Sequence, residues 1–195
     1  REARLRAQRQ MRAGVLLGLT GIMPLSNFLV NIVTSRGGSQ ADLGLALFLM
    51  GASELPTALF FGRLLRRLGS GRLVMLSMLF GTLKGVLLLC TTSYLGVLLV
   101  QPIQVLGYGL FTPASVYFVN ESVPEADRVR GQTVMMVASN GLGGMLGGLL
   151  AGWTLDLGGA NLMLMGCILC GCVGAVLCRL ALCKKIGRLS LSKTA

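Results

Sequence analysis

Oily runs of about twenty residues, the length that crosses about 30 Å of hydrocarbon, alternate with short polar breaks along the chain. They form six apolar segments near residues 14–34, 43–62, 73–91, 95–119, 133–153 and 161–182. The breaks are "SRGGSQAD", "RLLRRLGSGR", "TSY", "NESVPEADRVRGQ" and "LDLGGA". They carry the glycine, proline, serine or charge that turns a chain. This pattern predicts an all-α membrane protein of six transmembrane helices, with both chain ends on one side. The expected organisation is a cytoplasmic linker at 1–13, a six-helix bundle at 14–183 and a basic tail at 184–195.

Composition and charge test that count. With 53% hydrophobic and 13% charged residues, the chain holds more apolar side chains than a soluble domain of its length buries. A net charge of +11 raises nucleic-acid binding, but no face interleaves aromatic and basic residues, so no nucleic-acid partner is expected. The cations sort by side instead. Arg1, Arg4, Arg6, Arg9 and Arg12, then Arg63, Arg66, Arg67 and Arg72, then Arg128 and Arg130, then Arg179, Lys184, Lys185, Arg188 and Lys193 share one face. Arg36 falls alone on the other. The positive-inside rule makes the crowded face cytoplasmic, so both termini are expected in the cytoplasm, with the bundle in the plasma (cytoplasmic, or inner) membrane. The opening "REARLRAQRQMRAG" lacks a short apolar region with a small-residue cleavage site, so no signal peptide is expected. It reads as the end of a basic linker, and the chain as the second half of a longer protein. Asn120-Glu121-Ser122 spells a glycosylation sequon, discounted because it falls on the cytoplasmic side.

Two ionisable side chains interrupt the oil. Glu54 lies near the middle of the second segment and Lys84 near the middle of the third. An ionised group at that depth costs roughly 2.5–3.5 kcal/mol facing lipid, so both are expected to face the protein interior. Counted along antiparallel spans at 1.5 Å per residue, their depths differ by only on the order of 5 Å, so a direct or water-bridged pair is feasible. Two readings stand side by side: a structural ion pair between helices, or groups lining a polar cavity that bind solute or a proton.

Polar residues elsewhere repeat at helical spacing. Gln101, Gln104, Tyr108, Thr112 and Ser115 fall on one face of the fourth segment, and Asn27 with Asn31 on one face of the first. These stripes suit hydrogen bonds between helices or contacts to a polar solute. Pro24, Pro56, Pro102 and Pro113 permit kinks within spans. The fifth segment pairs Gly143 with Gly147, Gly144 with Gly148 and Gly148 with Gly152, a small-residue pattern for close helix packing. With no preceding strand and no P-loop lysine, it is not a phosphate loop. Five of the six cysteines crowd the last segment. Cys167 and Cys170 spell C-x-x-C, but without a second pair or any histidine they read as packed free thiols, and no metal or cofactor is expected.

Six spans behind a basic linker, with "GRLLRRLGSGR" between the second and third, resemble the C-terminal six-helix half of a major facilitator superfamily transporter. The signature G-x-x-x-D-R-x-G-R-R is matched at Gly62, Arg67 and Gly69, and more loosely at Arg72. Arg66 stands where the family has an acid, and Ser70 and Gly71 replace part of the basic run. "SELPTALFFGRLLRR" is similar to the E-[IL]-P helix of the sugar efflux and oligosaccharide-symporter-like branches, as is "QVLGYGLFTPASVYFVNE" followed by "RVRGQ". The resemblance implies helices seven to twelve of that fold, two three-helix inverted repeats, and alternating access about a midplane site. It implies solute or proton contacts at Glu54, Lys84, Asn27, Asn31, Gln101, Gln104 and Tyr108. It also implies a cytoplasmic gate of Gly62, Arg63, Arg66, Arg67, Gly69 and Arg72. Asp127 and Arg128 are a candidate pair in the facing loop. The expected partners are the bilayer, the N-terminal six-helix half or a second copy, a small polar solute and a proton. The expected activity is proton-coupled or facilitative transport of that solute, with sugars a candidate class. The rival is a non-transporting scaffold or receptor on the same helices. An enzyme is disfavoured, because the chain lacks histidine and any nucleophile–base pair.

Overall fold

The computed structural model describes residues 13–191, with side chains from 13 to 181 except that of Ala58. The cations of the linker and tail, and Cys183, fall outside the described side chains. Every regular element in the described range is helical. The first span is broken: α1 (Ala13–Asn27) and α2 (Leu29–Ser35) meet at 57° around Phe28. α3 (Gln40–Leu68) opens on a capping box, in which Asp42 N–H donates to Ser39 Oγ at 3.3 Å and Ser39 N–H to Asp42 Oδ2 at 2.8 Å. Those bonds hold the Asp42 carboxyl, at the solvent end of the helix, below its ordinary range. α3 carries Pro56 and bends by 59° between Gln40–Thr57 and Leu59–Leu68, as a proline that removes a backbone donor and crowds the preceding turn allows. Gly69, at φ +77°, makes the one-residue turn into α4 (Ser70–Cys90).

The fourth span is also broken. α5 (Tyr94–Val100) tightens into a 3-10 stretch (Gln101–Val105), departs from helical geometry at Gly107 and resumes as α6 (Tyr108–Ser122). α7 (Arg128–Met136) widens into a π-helical turn (Val137–Gly143) before α8 (Gly144–Leu191). Among the described residues three helical runs are long and apolar enough to cross a membrane, and the two bent pairs bring the number to five. The last run, Glu125–Ala181, spans 57 residues, far more than the about 20 that one crossing takes. Gly158 and Gly159 leave helical geometry inside it, and a methyl on Gly166 would touch Thr154 Cγ2 at 3.8 Å. A straight helix would hold those residues about 18 Å apart, so the chain doubles back and this run supplies two crossings.

Residue register then fixes direction. Gly14, Gly18 and Gly21 of α1 face Cys178, Gly174 and Cys167 of α8, an antiparallel order, while Thr20 and Phe28 face Gly147 and Gly152, a parallel one. Ile22 and Leu25 face Gly81 and Gly85 of α4 in parallel order. Ser70, Gly81 and Lys84 of α4 meet Glu121, Gly107 and Gln104 in antiparallel order. Glu54 and Phe61 of α3 meet Gly109 and Tyr117 of α6 in parallel order, so odd spans run one way and even spans the other, as expected for six alternating crossings.

Apolar packing forms two clusters. One, toward the arginine-rich end, gathers Leu19, Leu73, Met78, Leu110 and Phe111; the other gathers Leu29, Ile32, Leu88, Val97 and Met163. Along α4, Lys84 falls between Met78 of the first cluster and Leu88 of the second. Gln101 and Gln104 fall between Val100 and Leu110 in the same way. The buried polar groups therefore mark the level where the two cores meet.

Candidate functional site

Lys84 is 1% exposed, and Gln101 and Gln104 are buried as well. The Lys84 ammonium donates to Gln104 Oε1 at 2.8 Å and lies 4.0 Å from Met50 Sδ. Ser26 Oγ–H reaches the same sulfur at 3.7 Å. Spans one to four thus meet at one point through Ser26, Met50, Lys84 and Gln104. Depth alone made Glu54 a feasible direct partner for Lys84. Among the described residues the two make no ion pair. The amide carbonyl of Gln104 has taken the place nearest the ammonium, because the 3-10 stretch turns it inward.

Around this pair several polar atoms lack partners among the described residues. Gln101 Nε2 donates to the Val97 carbonyl at 3.1 Å, but its Oε1 is buried and unpaired. Thr57 Oγ1, one turn beyond Glu54, is likewise buried and unpaired. The Glu54 carboxylate is half-buried at the bend of α3, with no hydrogen bond among the described residues. Unpaired buried oxygens cost free energy unless water or a ligand completes them. The first and fourth spans, which open the two successive triplets, are both interrupted at this level, one near Pro24 and Phe28, the other at Pro102 and Gly107. Broken helices in corresponding positions are a feature of transporter binding sites.

The remaining stripe residues divide. Thr112 and Ser115 hydroxyls donate back to the carbonyls of Tyr108 and Thr112, at 3.1 and 2.8 Å, so their own helix satisfies them. Tyr108 O–H instead crosses to Asn140 Oδ1 at 3.4 Å. Asn27 is exposed and Asn31 half-buried, and neither side-chain amide has a partner among the described residues.

A family model described as Major Facilitator Superfamily matches residues 13–188. The chain belongs to the Major Facilitator Superfamily. No curated protein matches it. As a member of the Major Facilitator Superfamily it is an integral membrane transporter protein with an all-α fold.

In this superfamily member the signature loop is open. Arg63, Arg66, Arg67 and Arg72 are exposed around the Gly69 turn, and no side chain closes on Gly62 beyond Arg66 Nη1 at 3.9 Å from an added methyl. Ser70 Oγ–H donates to Glu121, tying the start of α4 to the end of α6. In the facing loop Arg128 Nη1 reaches Glu125 Oε1 at 3.4 Å, so its partner is Glu125 and not Asp127. One helical turn separates Arg128 from Glu125, whereas adjacent side chains diverge around a helix.

Of the fifth-span glycines, Gly143 and Gly147 press on Leu16, Leu19 and Thr20, and Gly144 meets Met23 Sδ at 3.3 Å from an added methyl. Gly152 only approaches Phe28, and Gly148 has nothing within 4 Å. Sequence reasoning missed the closer seam between α1 and α8. There a methyl on Gly14 would lie 2.8 Å from Cys178 Sγ, and one on Gly174 would strike the Gly18 backbone. The cysteines of the last span supply small side chains to that seam. It also missed Ser26, Met50, Thr57 and Asn140. A polar residue amid "VMMVASNGLGG" was a signal for Asn140; nothing in the sequence marked Met50.

Proposed function

We propose that the chain is the C-terminal six-helix half of a secondary transporter that moves a small polar solute by alternating access. Its partner in that reading is an N-terminal half, or a second copy, in a plasma membrane with both termini cytoplasmic. Sugars are the candidate solute class, in keeping with the resemblance of the Glu54 helix to sugar-handling branches. Glu54 carries solute or a coupling proton, with Asn27, Asn31, Gln101, Gln104 and Tyr108 as neutral hydrogen-bonding contacts. Lys84 sets the local charge. The observation that carries this reading is the buried, unpaired Thr57 and Gln101 oxygens, with Glu54 half-buried one turn from Thr57, at the level where the first span bends and the fourth leaves α-helical geometry. A polar site completed only by its cargo has that character.

Transport by the full-length protein, reconstituted or in cells, tests it. Glu54→Gln is expected to lower the rate at least about tenfold, equivalent to about 1.4 kcal/mol of lost stabilisation. Lys84→Ala is expected to impair it as well. Transport untouched by both changes would remove the pair from the mechanism. The scaffold reading draws on the closed Lys84–Gln104 contact, which glues two helices. Thermal shift against a panel of sugars separates the readings, since a scaffold is stabilised by none of them.

A further inference from the structure

Beyond its bend α3 divides into two faces. Phe61, Leu64 and Leu65 pack into the core cluster at the arginine-rich end, so Leu59, Arg63 and Arg66, at steps of four and then three residues, lie on the opposite side of the helix. This outer ridge changes character along its length. Leu59 is 79% exposed and Phe60, next to it, 55%. Arg63, Arg66 and Arg67 follow, all exposed. An oily turn that gives way to cationic ones matches the step from acyl chain to phosphate that a lipid presents to a helix leaving the membrane.

The Arg66 side chain folds back along α3 instead of extending past its end. Its Nη1 would lie 3.9 Å from a methyl on Gly62, so the guanidinium rests over ground that glycine leaves bare, one turn toward the hydrocarbon. Among the described residues Arg63, Arg66 and Arg67 make no ion pair. The acids near this side are engaged or stand in the facing loop: Glu121 accepts from Ser70 and Glu125 from Arg128, with Asp127 beside them. Arg66 itself occupies the acidic position of the loop signature, so the run holds no counter-charge of its own. Like charges three and four residues apart on a helix repel, and guanidinium forks fit phosphate oxygens in pairs.

We propose that Arg63 and Arg66 clamp the phosphate of one anionic phospholipid, whose acyl chains lie on Leu59 and Phe60 while Arg67 flanks the headgroup. The ridge fits a lipid better than a free phosphate, because a soluble anion leaves its apolar half uncovered. It fits an anionic lipid better than a choline lipid, which would bring another cation among the arginines. The inference goes beyond the transport reading and does not rest on it, since bound lipid is counted without any solute.

Native mass spectrometry of the purified full-length protein, released from neutral detergent supplemented with phosphatidylglycerol or phosphatidylcholine, counts that lipid. The wild-type protein is expected to prefer phosphatidylglycerol and to hold one more of it than the Arg63→Gln, Arg66→Gln double variant, whose affinity falls at least about tenfold. Arg128→Gln with Arg130→Gln removes the same charge from the facing loop and is expected to leave retention unchanged. Gly62→Leu keeps every charge but fills the ground under the Arg66 guanidinium. It is expected to weaken retention too, so the answer does not depend on one variant folding. Equal retention of the two lipids, equal losses from the two double substitutions, or displacement of the lipid by excess glycerol phosphate would overturn the proposal. Equal lipid counts in the wild-type protein and the Arg63, Arg66 variant would also overturn it, and would show that protein covers this ridge.

Discussion

Lys84 shows how a single buried charge is tolerated in an oily bundle. Its ammonium gains one strong acceptor from Gln104 and a soft contact from the Met50 sulfur. Removing either end of the pair has unequal consequences. Gln104→Leu strands the ammonium among apolar neighbours and is expected to cost about 3 kcal/mol or more. Lys84→Met leaves only an amide oxygen without its donor, expected to cost about 1–2 kcal/mol. Denaturation of the purified variants in detergent checks the order; a larger loss for Lys84→Met would show that the ammonium is not confined as described. That a polar partner was needed here was legible from the depth of Lys84 in its span. Which partner it took was not, because the 3-10 stretch rotates Gln104 relative to the regular helical face that spacing alone assumes.

At the scale of helices, small residues decide which spans approach closely. The fifth-span glycines were conspicuous by their number, yet they do unequal work, and Gly174 of the sixth span packs closer than any of them. Gly174 meets backbone across the seam with α1, which cannot move aside, whereas Gly148 meets nothing within 4 Å. Gly174→Ala is therefore expected to destabilise by about 1–3 kcal/mol through overpacking. Gly148→Ala is expected to be neutral or to stabilise by up to about 1 kcal/mol through helix propensity. Thermal unfolding of the two variants compares them directly. An equal loss for Gly148→Ala would show that another surface closes on that face of α8. A glycine's presence is visible in sequence, but whether a neighbouring backbone lies against it depends on how distant spans pair. The same holds for the cysteines, whose value at the seam is their size.

For the whole molecule, the alternation of spans carries a direct consequence. Gly37, beside Arg36, and Gly71, among the loop arginines, are expected on opposite sides of the membrane. In a cysteine-free background, Gly37→Cys should react with an impermeant maleimide on intact cells, and Gly71→Cys only after permeabilisation. Labelling of both from one side would break the topology. Arg36 is not idle there: its Nη2 donates to Asn161 Oδ1 at 2.6 Å, linking the end of the first span to the start of the last. The number of crossings, their alternating sense and the presence of costly polar groups at mid-depth were determined by the sequence itself, because the bilayer imposes a length, a hydropathy and a charge bias that any spanning segment must meet. Only the tertiary structure decided that Lys84 takes Gln104, that Glu54 packs against Gly109, and that α1 packs on α8. Those outcomes depend on where helices break and how far they rotate about their axes, and packing between segments distant in sequence sets both.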